Sequence, residues 1–438
     1  MRKAYPEYKD SGIEWLGEIP AHWQLRKVKY VFRVFNGATP KSSEPVYWDG
    51  DIAWLTPEDM GELTSHLITD TARRISKEGY KNCGTNLVPE GSLVLSTRAP
   101  IGHIAIAGIP LCTNQGCRSL VFKRNDDRKY FYYALYAAKQ NLQAGGQGST
   151  FLELSKEKLE MMQIIDLGYN EQCKISRFLD RQTSVIDKLI SCKEKQIELL
   201  KEKRAAIITW AVTRGLDSNV PMKDSGIEWL GEIPAHWDIK RIKFLVSEPL
   251  RYGANEEAKY IDPNQPRFVR ITDINEKGDL DDSTFRSLPL ASAQSYLLQS
   301  GDILLARSGA TVGKSFLYKE SWGSCCFAGY LIRARLNNKK CLPAFFNYFT
   351  GSTAYWNWIS SSLIQATIQN VSAEKYDNLV IGLPPLDEQE ATIEYLDQET
   401  SRIDVLISKI QSSIEKLQEY RTALISAAVT GKIDVRGE

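Results

Sequence analysis

The strongest constraint on what this chain can fold into is a long segment that occurs twice. Glu171–Asp217 reads EQCKISRFLDRQTSVIDKLISCKEKQIELLKEKRAAIITWAVTRGLD, and Glu388–Asp434 reads EQEATIEYLDQETSRIDVLISKIQSSIEKLQEYRTALISAAVTGKID, aligned without a gap. Leu179, Ile186, Lys193, Leu200 and Ile207 fall seven apart, and Leu396, Ile403, Ile410, Leu417 and Leu424 repeat them 217 positions later (396 − 179 = 217). A second row, Leu189, Ile197 and Ala211 against Leu406, Ile414 and Ala428, widens this to the apolar stripe of a packing helix. Asn170 and Asp387 are suited to cap the helix starts, and Asp387 with Glu390 has the spacing of a capping box. Gly215 and Gly431 stand where the helices should stop. A helix of about 40 residues is roughly 60 Å long, against a usual length of about 12 residues. Such a stripe is too long to bury against one ordinary domain. Each copy is therefore expected to pack on the other, as an antiparallel coiled-coil pair.

A second repeat sets the order of parts. KDSGIEWLGEIPAHW occurs letter for letter at Lys9–Trp23 and Lys223–Trp237. Trp15, Trp23, Trp229 and Trp237 are suited to anchor this marker as a packed turn, with Pro20 and Pro234 breaking any helix. Short basic segments follow, Arg26, Lys27 and Lys29 in one copy and Lys240, Arg241 and Lys243 in the other. Then come less similar regions, 24–168 and 238–386, with shared landmarks. GSLVLSTRAPIG (Gly91–Gly102) resembles GDILLARSGATVG (Gly301–Gly313), each an apolar strand entering a tight polar loop. Aromatic-rich helices follow from Tyr130 and Ala344, then polar loops from Gly145 and Ser361.

The expected fold is α+β: two globular heads separated by the pair of long antiparallel helices, with pseudo-two-fold order. The boundaries read as 1–168 for the first head with its marker at 9–23, 169–217 for the central helix, 218–386 for the second head with its marker at 223–237, and 387–438 for the C-terminal helix. Marker and helix stay nearly fixed while the heads diverge, which suits one frame carrying two readers of different targets.

Composition narrows the class. Apolar content of 43%, charge of 25% and a net charge of +1 in 438 residues fit a globular protein of two or three domains, so nucleic-acid binding has to rest on local patches. The start MRKAYPEYKD has no apolar run and no segment reaches a membrane span of roughly 18 apolar residues, so a cytoplasmic protein is expected. Cys83, Cys112, Cys117, Cys173, Cys192, Cys325, Cys326 and Cys341 contain no CxxC, and free, mostly buried thiols are expected rather than a metal site.

Enzymatic motifs are weak. SGATVGKS (Ser308–Ser315) approaches the P-loop pattern, and an alternative reading is a nucleotide-dependent enzyme using that loop. Ser308 replaces the first glycine, however, and the following SFLYKESWGSCC reads as strand and turn rather than helix. Asp126-Asp127 and Asp281-Asp282 read as solvated turns, and no catalytic constellation is present. The case for DNA lies in the loops. Thr97 and Arg98, and Arg307, Ser308 and Thr311, are polar groups held after a strand; Gln147, Gln365 and Gln369 lie in Gly/Ser/Thr-rich loops. Arginine suits guanine O6/N7 and glutamine suits adenine N6/N7, while Lys314, Arg73, Arg74 and Lys81 suit phosphates.

These features together resemble the specificity subunit of type I restriction–modification enzymes. The resemblance rests on GIEWLGEIPAHW before each head, GDILLARSGATVGK, LPPLDEQ opening the second helix, SRIDVLI, LISAAVTGKID, and the two-fold order of parts. It covers nearly the whole chain, with DLGYNEQ for LPPLDEQ and AVTRGLD for AVTGKID as departures in the first half. It implies that each head is a target recognition domain reading half of an asymmetric bipartite site in double-stranded DNA. The helices would be the spacer and would dock two methyltransferase (modification) subunits. The subunit itself would have no catalytic activity and bind no cofactor, while its partners use S-adenosylmethionine, ATP and magnesium, and restriction subunits complete the complex. Half-sites read from one face of B-DNA lie about one turn, roughly 34–36 Å, or a multiple of it apart, which a rod of roughly 60 Å can bridge.

Overall fold

The computed structural model describes residues 4–63, 65–98, 100–146, 153–275, 278–309, 311–364 and 370–437. The chain forms two compact units, Met1–Lys193 with Ser412–Glu438, and Glu194–Gln411. Each unit therefore holds one head and a part of each long helix.

In the first unit, Gln24–Lys27 runs antiparallel to Gln163–Asp166, tying the start of the head to its end. The main sheet has the order Phe32–Asn36, Cys117–Phe122, Leu93–Ser96, Ile104–Ala107, Leu67–Ile68; its first three pairings are antiparallel and its last is parallel. A smaller sheet sets Trp48–Leu55 between Arg73–Ile75, antiparallel, and Leu111–Thr113, parallel. The second unit repeats the plan. Asp238–Arg241 pairs with Val380–Leu383, the main sheet runs Arg251–Tyr252, Leu331–Arg335, Asp302–Ala306, Ser315–Leu317, and Arg267–Val269 lies parallel to Cys325–Phe327.

The strands LVLS and IAIA are buried throughout because both faces of the sheet are covered, and the period of two sorts their side chains. Leu93, Leu95, Ile104 and Ile106 join Phe131 and Leu135 of the helix Arg128–Ala137, while Val94, Ala105 and Ala107 join Ala53 and Leu55 of the small sheet. In the second unit Ile303 and Leu305 meet Phe345, Phe346 and Phe349 of the helix Pro343–Thr350, and Leu304 and Ala306 meet Val269 and Phe327.

All eight cysteines are free. Cys112, Cys117, Cys325, Cys326 and Cys341 are buried, and burial pushes each of these thiols up to about 12. Cys192 alone is exposed. Under native conditions at pH 8 an aromatic disulfide reagent is expected to modify Cys192 first. The five buried thiols should react only on unfolding, and their rapid native labelling would contradict this packing.

The long helices are Tyr169–Arg214 and Leu386–Val429. Both begin two residues earlier than caps at Asn170 and Asp387 imply, so those residues lie inside the first turn rather than at the caps. There Gly168 and Pro385 carbonyls accept from the Gln172 and Gln389 amides. The cap glycines behave as expected: Gly215 and Gly431 both have φ +75°. At the second, the Lys432 amide returns to the Ala427 carbonyl at 2.8 Å and Gly431 to Ala428 at 3.4 Å, the two bonds of a Schellman stop.

The seven-residue row is inward-facing, with Leu179, Ile186, Leu396, Ile403 and Leu424 buried. The second row needs one correction. Leu189 and Leu406 are nearly half exposed, and the inward positions one step later are Ile190 and Ile407. This makes the spacing alternate three and four, placing Thr183, Ile190, Ile197, Arg204 and Ala211 on the second seam row. Two arginines thus sit on seam positions. In the first unit Arg421 Nε donates to Asp187 Oδ1 at 2.8 Å; in the second Arg204 Nε donates to Asp404 Oδ1 at 3.1 Å. The pairs map onto each other by the 217-residue shift (187 + 217 = 404; 204 + 217 = 421), and in both units the helices run antiparallel. A polar residue on a seam row fixes register at some cost in stability.

Each marker clamps helix ends of its own unit. His22 lies 3.0 Å from Glu171, and Tyr5 donates to the same carboxylate at 3.0 Å; His236 and Trp237 contact Glu388 at 2.7 and 3.0 Å. The opposite helix end closes the clamp: a Cβ on Gly431 would press on Pro20 and on Trp23 at 3.0 Å, and one on Gly215 would meet Trp237 at 3.3 Å. Buried glutamines join helix to head. Gln172 Oε1 accepts from the Asp127 amide at 2.8 Å, and its Nε2 donates to the Leu167 carbonyl at 2.9 Å. Gln389 Oε1 accepts from the Leu342 amide at 2.8 Å, while Nε2 donates to the carbonyls of Lys340 at 3.1 Å and Pro384 at 2.9 Å. Among the described residues no helix is long and apolar enough to cross a membrane.

Candidate nucleic-acid interface

In each unit one corner of the main sheet gathers the ends of three strands and the segment returning to the ribbon. Backbone bonds set the correspondence. The Thr97 amide donates to the Gly116 carbonyl at 2.8 Å and its carbonyl accepts from Leu154 at 2.9 Å; Arg307 makes the same bonds to Tyr330 at 3.1 Å and Val371 at 2.9 Å. Single antiparallel bridges Arg98–Glu153 and Ser308–Asn370 follow at the next position. Hence Thr97 corresponds to Arg307 and Arg98 to Ser308, so the two arginines are not equivalents. Gly37 and Gly253 open the same corner in both units. A Cβ on either would collide with backbone carbonyls, of Asn114 in one and of Phe327 and Ala328 in the other, so only glycine permits the close chain approach.

The side chains at these matched positions differ in kind. In the first unit Thr97 is fully buried and its hydroxyl donates to Gly116 at 3.3 Å, so it holds the loop and presents nothing outward. Arg98 is exposed, but its Nε donates to Glu153 Oε2 at 3.0 Å. Glu153 also takes Arg118 Nη2 at 2.8 Å, and Thr39 bonds Gln115 beside it. In the second unit the Arg307 guanidinium lies over the Tyr252 ring at 4.6 Å and its Nε donates to Asn370 Oδ1 at 3.4 Å. Tyr252 is itself held by the Ala373 amide, which donates to its hydroxyl at 2.9 Å. Tyr330, 68% exposed, stands alongside.

A buried ion cluster ties the other end of the same strand pair, where Asp302 stands opposite Arg335. Arg335 donates to Asp302, which is wholly buried, through two bonds of 2.7 Å, and Arg333 Nη2 donates to Glu248 at 2.9 Å. The bond from Asp302 raises the Arg335 guanidinium above its ordinary value, while burial, and then the charge of Arg335, lower that of Arg333.

The remaining sequence candidates divide. Arg73 stacks on Trp48 at 3.7 Å and lies 5.7 Å from Trp54, with no acceptor on its guanidinium among the described residues. Arg74 is tied to Asp70 at 2.7 Å and to the Asp51 carbonyl at 3.2 Å. Lys81 is exposed, 3.6 Å from Glu78. Ser308 and Thr311 are half-buried in the turn and Lys314 is exposed. Gln147, Gln365 and Gln369 lie outside the described residues. The phosphate-cradle alternative fails on topology: the Ser308–Ser315 segment turns between the antiparallel strands Asp302–Ala306 and Ser315–Leu317, so no helix start stands behind Lys314. Sequence reading missed Tyr252, Asn370, Trp48, Glu153 and Arg118. No local pattern marks them, because the partners are separated by 25 or more residues along the chain (73 − 48 = 25).

Comparison with known proteins agrees with this duplicated plan. The profile of the family described as "Type I restriction modification DNA specificity domain" matches residues 20–199 and 254–416. The MjaIX specificity subunit of Methanocaldococcus jannaschii is 31% identical over 315 residues, covering 70% of each chain. The MjaVIII specificity subunit of the same organism is 25% identical over 426 residues, covering 95% of this chain and 94% of the relative. A chain from a solved type I restriction–modification system aligns with TM-score 0.71 at 14% identity, over 94% of this chain and 98% of that one. The HsdS subunit of Thermoanaerobacter tengcongensis aligns with TM-score 0.52 at 13% identity, over 97% and 100%. At such identities the structural likeness speaks for the fold; the sequence matches speak for descent. A frame built twice, carrying two heads of one topology with different corner residues, is thus that of the type I restriction–modification DNA specificity family, and this chain belongs to it as a specificity subunit.

Proposed function

We propose that each head reads one half of an asymmetric bipartite sequence in double-stranded DNA, and that the long helices set the unread spacer between the halves. The protein is a guide without catalytic activity of its own. It acts in the cytoplasm, seats two modification subunits on its long helices, and directs restriction subunits in the full complex. S-adenosylmethionine, ATP and magnesium serve those partners and are not held by this chain. The observation that carries this reading is the pair of matched corners with unlike side chains: Thr97, Arg98 and Glu153 in one, Arg307, Ser308 and Asn370 in the other. One frame repeated around two different readers predicts two different half-sites.

Phosphate contacts from Lys81, Lys314, Arg74 and the basic ribbons would supply the salt-dependent part of the affinity. Mapping methylated bases in DNA exposed to the assembled complex tests the reading. A bipartite motif with dissimilar halves and a constant gap is expected. Binding that ignores sequence, or does not fall as log K against log salt with a slope near −0.9 per phosphate, would defeat it.

A further inference from the structure

We infer that Arg307 reads a guanine in the half-site of the second head, and that Tyr252 and Asn370 exist at that corner to fix its plane. The inference rests on the DNA-reading role just proposed and adds to it the base, the residue and the head. Bidentate recognition of guanine O6 and N7 needs two donors of one guanidinium held in a set orientation. Arg307 meets that need through three separate elements. Its main chain is pinned on both sides by Tyr330 and Val371; its guanidinium lies on the Tyr252 ring at 4.6 Å; its Nε is engaged by Asn370 at 3.4 Å. That leaves Nη1 and Nη2 without an acceptor among the described residues, at a half-buried side chain next to exposed Tyr330.

The platform is itself fixed, since the Ala373 amide donates to the Tyr252 hydroxyl. A phosphate contact does not require such order, because a flexible point charge such as a lysine also serves it. Adenine is disfavoured at this position. Its N6 is a donor, as are both free Arg307 groups, and the Asn370 carbonyl oxygen that could accept from it already serves Arg307. The first head cannot read the same base by the same device, because Thr97 stands at the Arg307 position with its hydroxyl turned inward, and Arg98 shares Glu153 with Arg118.

The test uses the full chain assembled with its modification subunits, with methylation motifs mapped for the wild type, Arg307→Ala, Arg307→Lys and Tyr252→Leu. For Arg307→Ala one G·C pair of one half-site should lose about 5- to 150-fold of discrimination, while the other half-site and the spacer stay unchanged. Arg307→Lys should keep the charge and lose most of the discrimination, and Tyr252→Leu should relax the same position less. The salt slope on non-specific DNA should not change. An unchanged motif with a slope reduced by about one would make Arg307 a phosphate contact and overturn the inference. An unchanged motif and slope would make it a loop staple, with the same result. If the wild type shows no motif at all, the DNA-reading proposal itself fails, which is a distinguishable outcome.

Discussion

The segment 1–217 expressed alone is expected to form a homodimer and, with modification subunits, to direct methylation to a site whose two halves are identical and inverted. The reason lies in the two ion pairs of the long helices. Asp187–Arg421 in one unit and Arg204–Asp404 in the other are one interaction seen twice, because Asp404 and Arg421 are the 217-shifted counterparts of Asp187 and Arg204. Two copies of the central helix, packed antiparallel, would restore both pairs as Asp187 against Arg204 of the second copy. Their seam rows would bring Leu179, Ile186 and Ile197 into the places that Leu396, Ile403 and Ile414 hold in the full chain. Light scattering should give twice the mass of the segment, and methylation mapping should give a palindromic motif built from the first head's half-site. Reversing one charge, Arg204→Asp, breaks two symmetric pairs at about 0.5–1 kcal/mol each, so dimer affinity should fall roughly tenfold, and adding Asp187→Arg should recover it. A monomeric segment, or a target still asymmetric, would refute the claim that the halves are interchangeable.

Gln389→Leu should destabilise the second unit by about 3 kcal/mol or more, among the largest single effects available outside the apolar core. The side chain is fully buried and serves three main-chain groups, the Leu342 amide and the Lys340 and Pro384 carbonyls. Leucine fills the volume and leaves those groups without partners, at about 1–3 kcal/mol for each buried polar group. Gln389→Glu should be no better tolerated, because a buried carboxylate oxygen would face the Lys340 and Pro384 carbonyls in place of a donor. Urea unfolding followed by the tryptophan fluorescence of the second head would measure this, and a loss below 1 kcal/mol would show that water replaces the glutamine. Gln172→Leu should act likewise on the first unit through Asp127 and Leu167.

How legible these features were in the sequence depends on the range of the interactions behind them. The seven-residue row, the cap glycines and the marker peptides are local patterns, and they read correctly because a helix converts spacing directly into direction. The second seam row was misread at Leu189 because Leu189 and Ile190 are equally apolar neighbours. Only the alternation of three and four steps, counted from Thr183 and Ile197, distinguishes them. Asn170 and Asp387 misplace the caps for another reason: Gln172 and Gln389 bind the heads from inside the first turn, and that tertiary grip starts each helix two residues early. At the corners, counting along the two strands from Gly91 and Gly301 sets Thr97 against Arg307 (97 − 91 = 6; 307 − 301 = 6). The backbone bonds agree that Arg307 stands where Thr97 does, a correspondence that strand register decides and composition does not. The aromatic supports of Arg73 and Arg307 were invisible for want of proximity along the chain.

The way Gln389 holds its head has a consequence for how such proteins change. All three of its bonds end on peptide groups, two carbonyls that every residue carries and one N–H that every residue but proline carries. A holder that grasps peptide groups is blind to the identity of what it holds. A foreign head with the same strand plan could be exchanged in a single recombination between the marker and the helix, and it would seat at once. New target preferences can therefore arise by wholesale replacement, without the slow co-adaptation of contacts that a side-chain interface would impose.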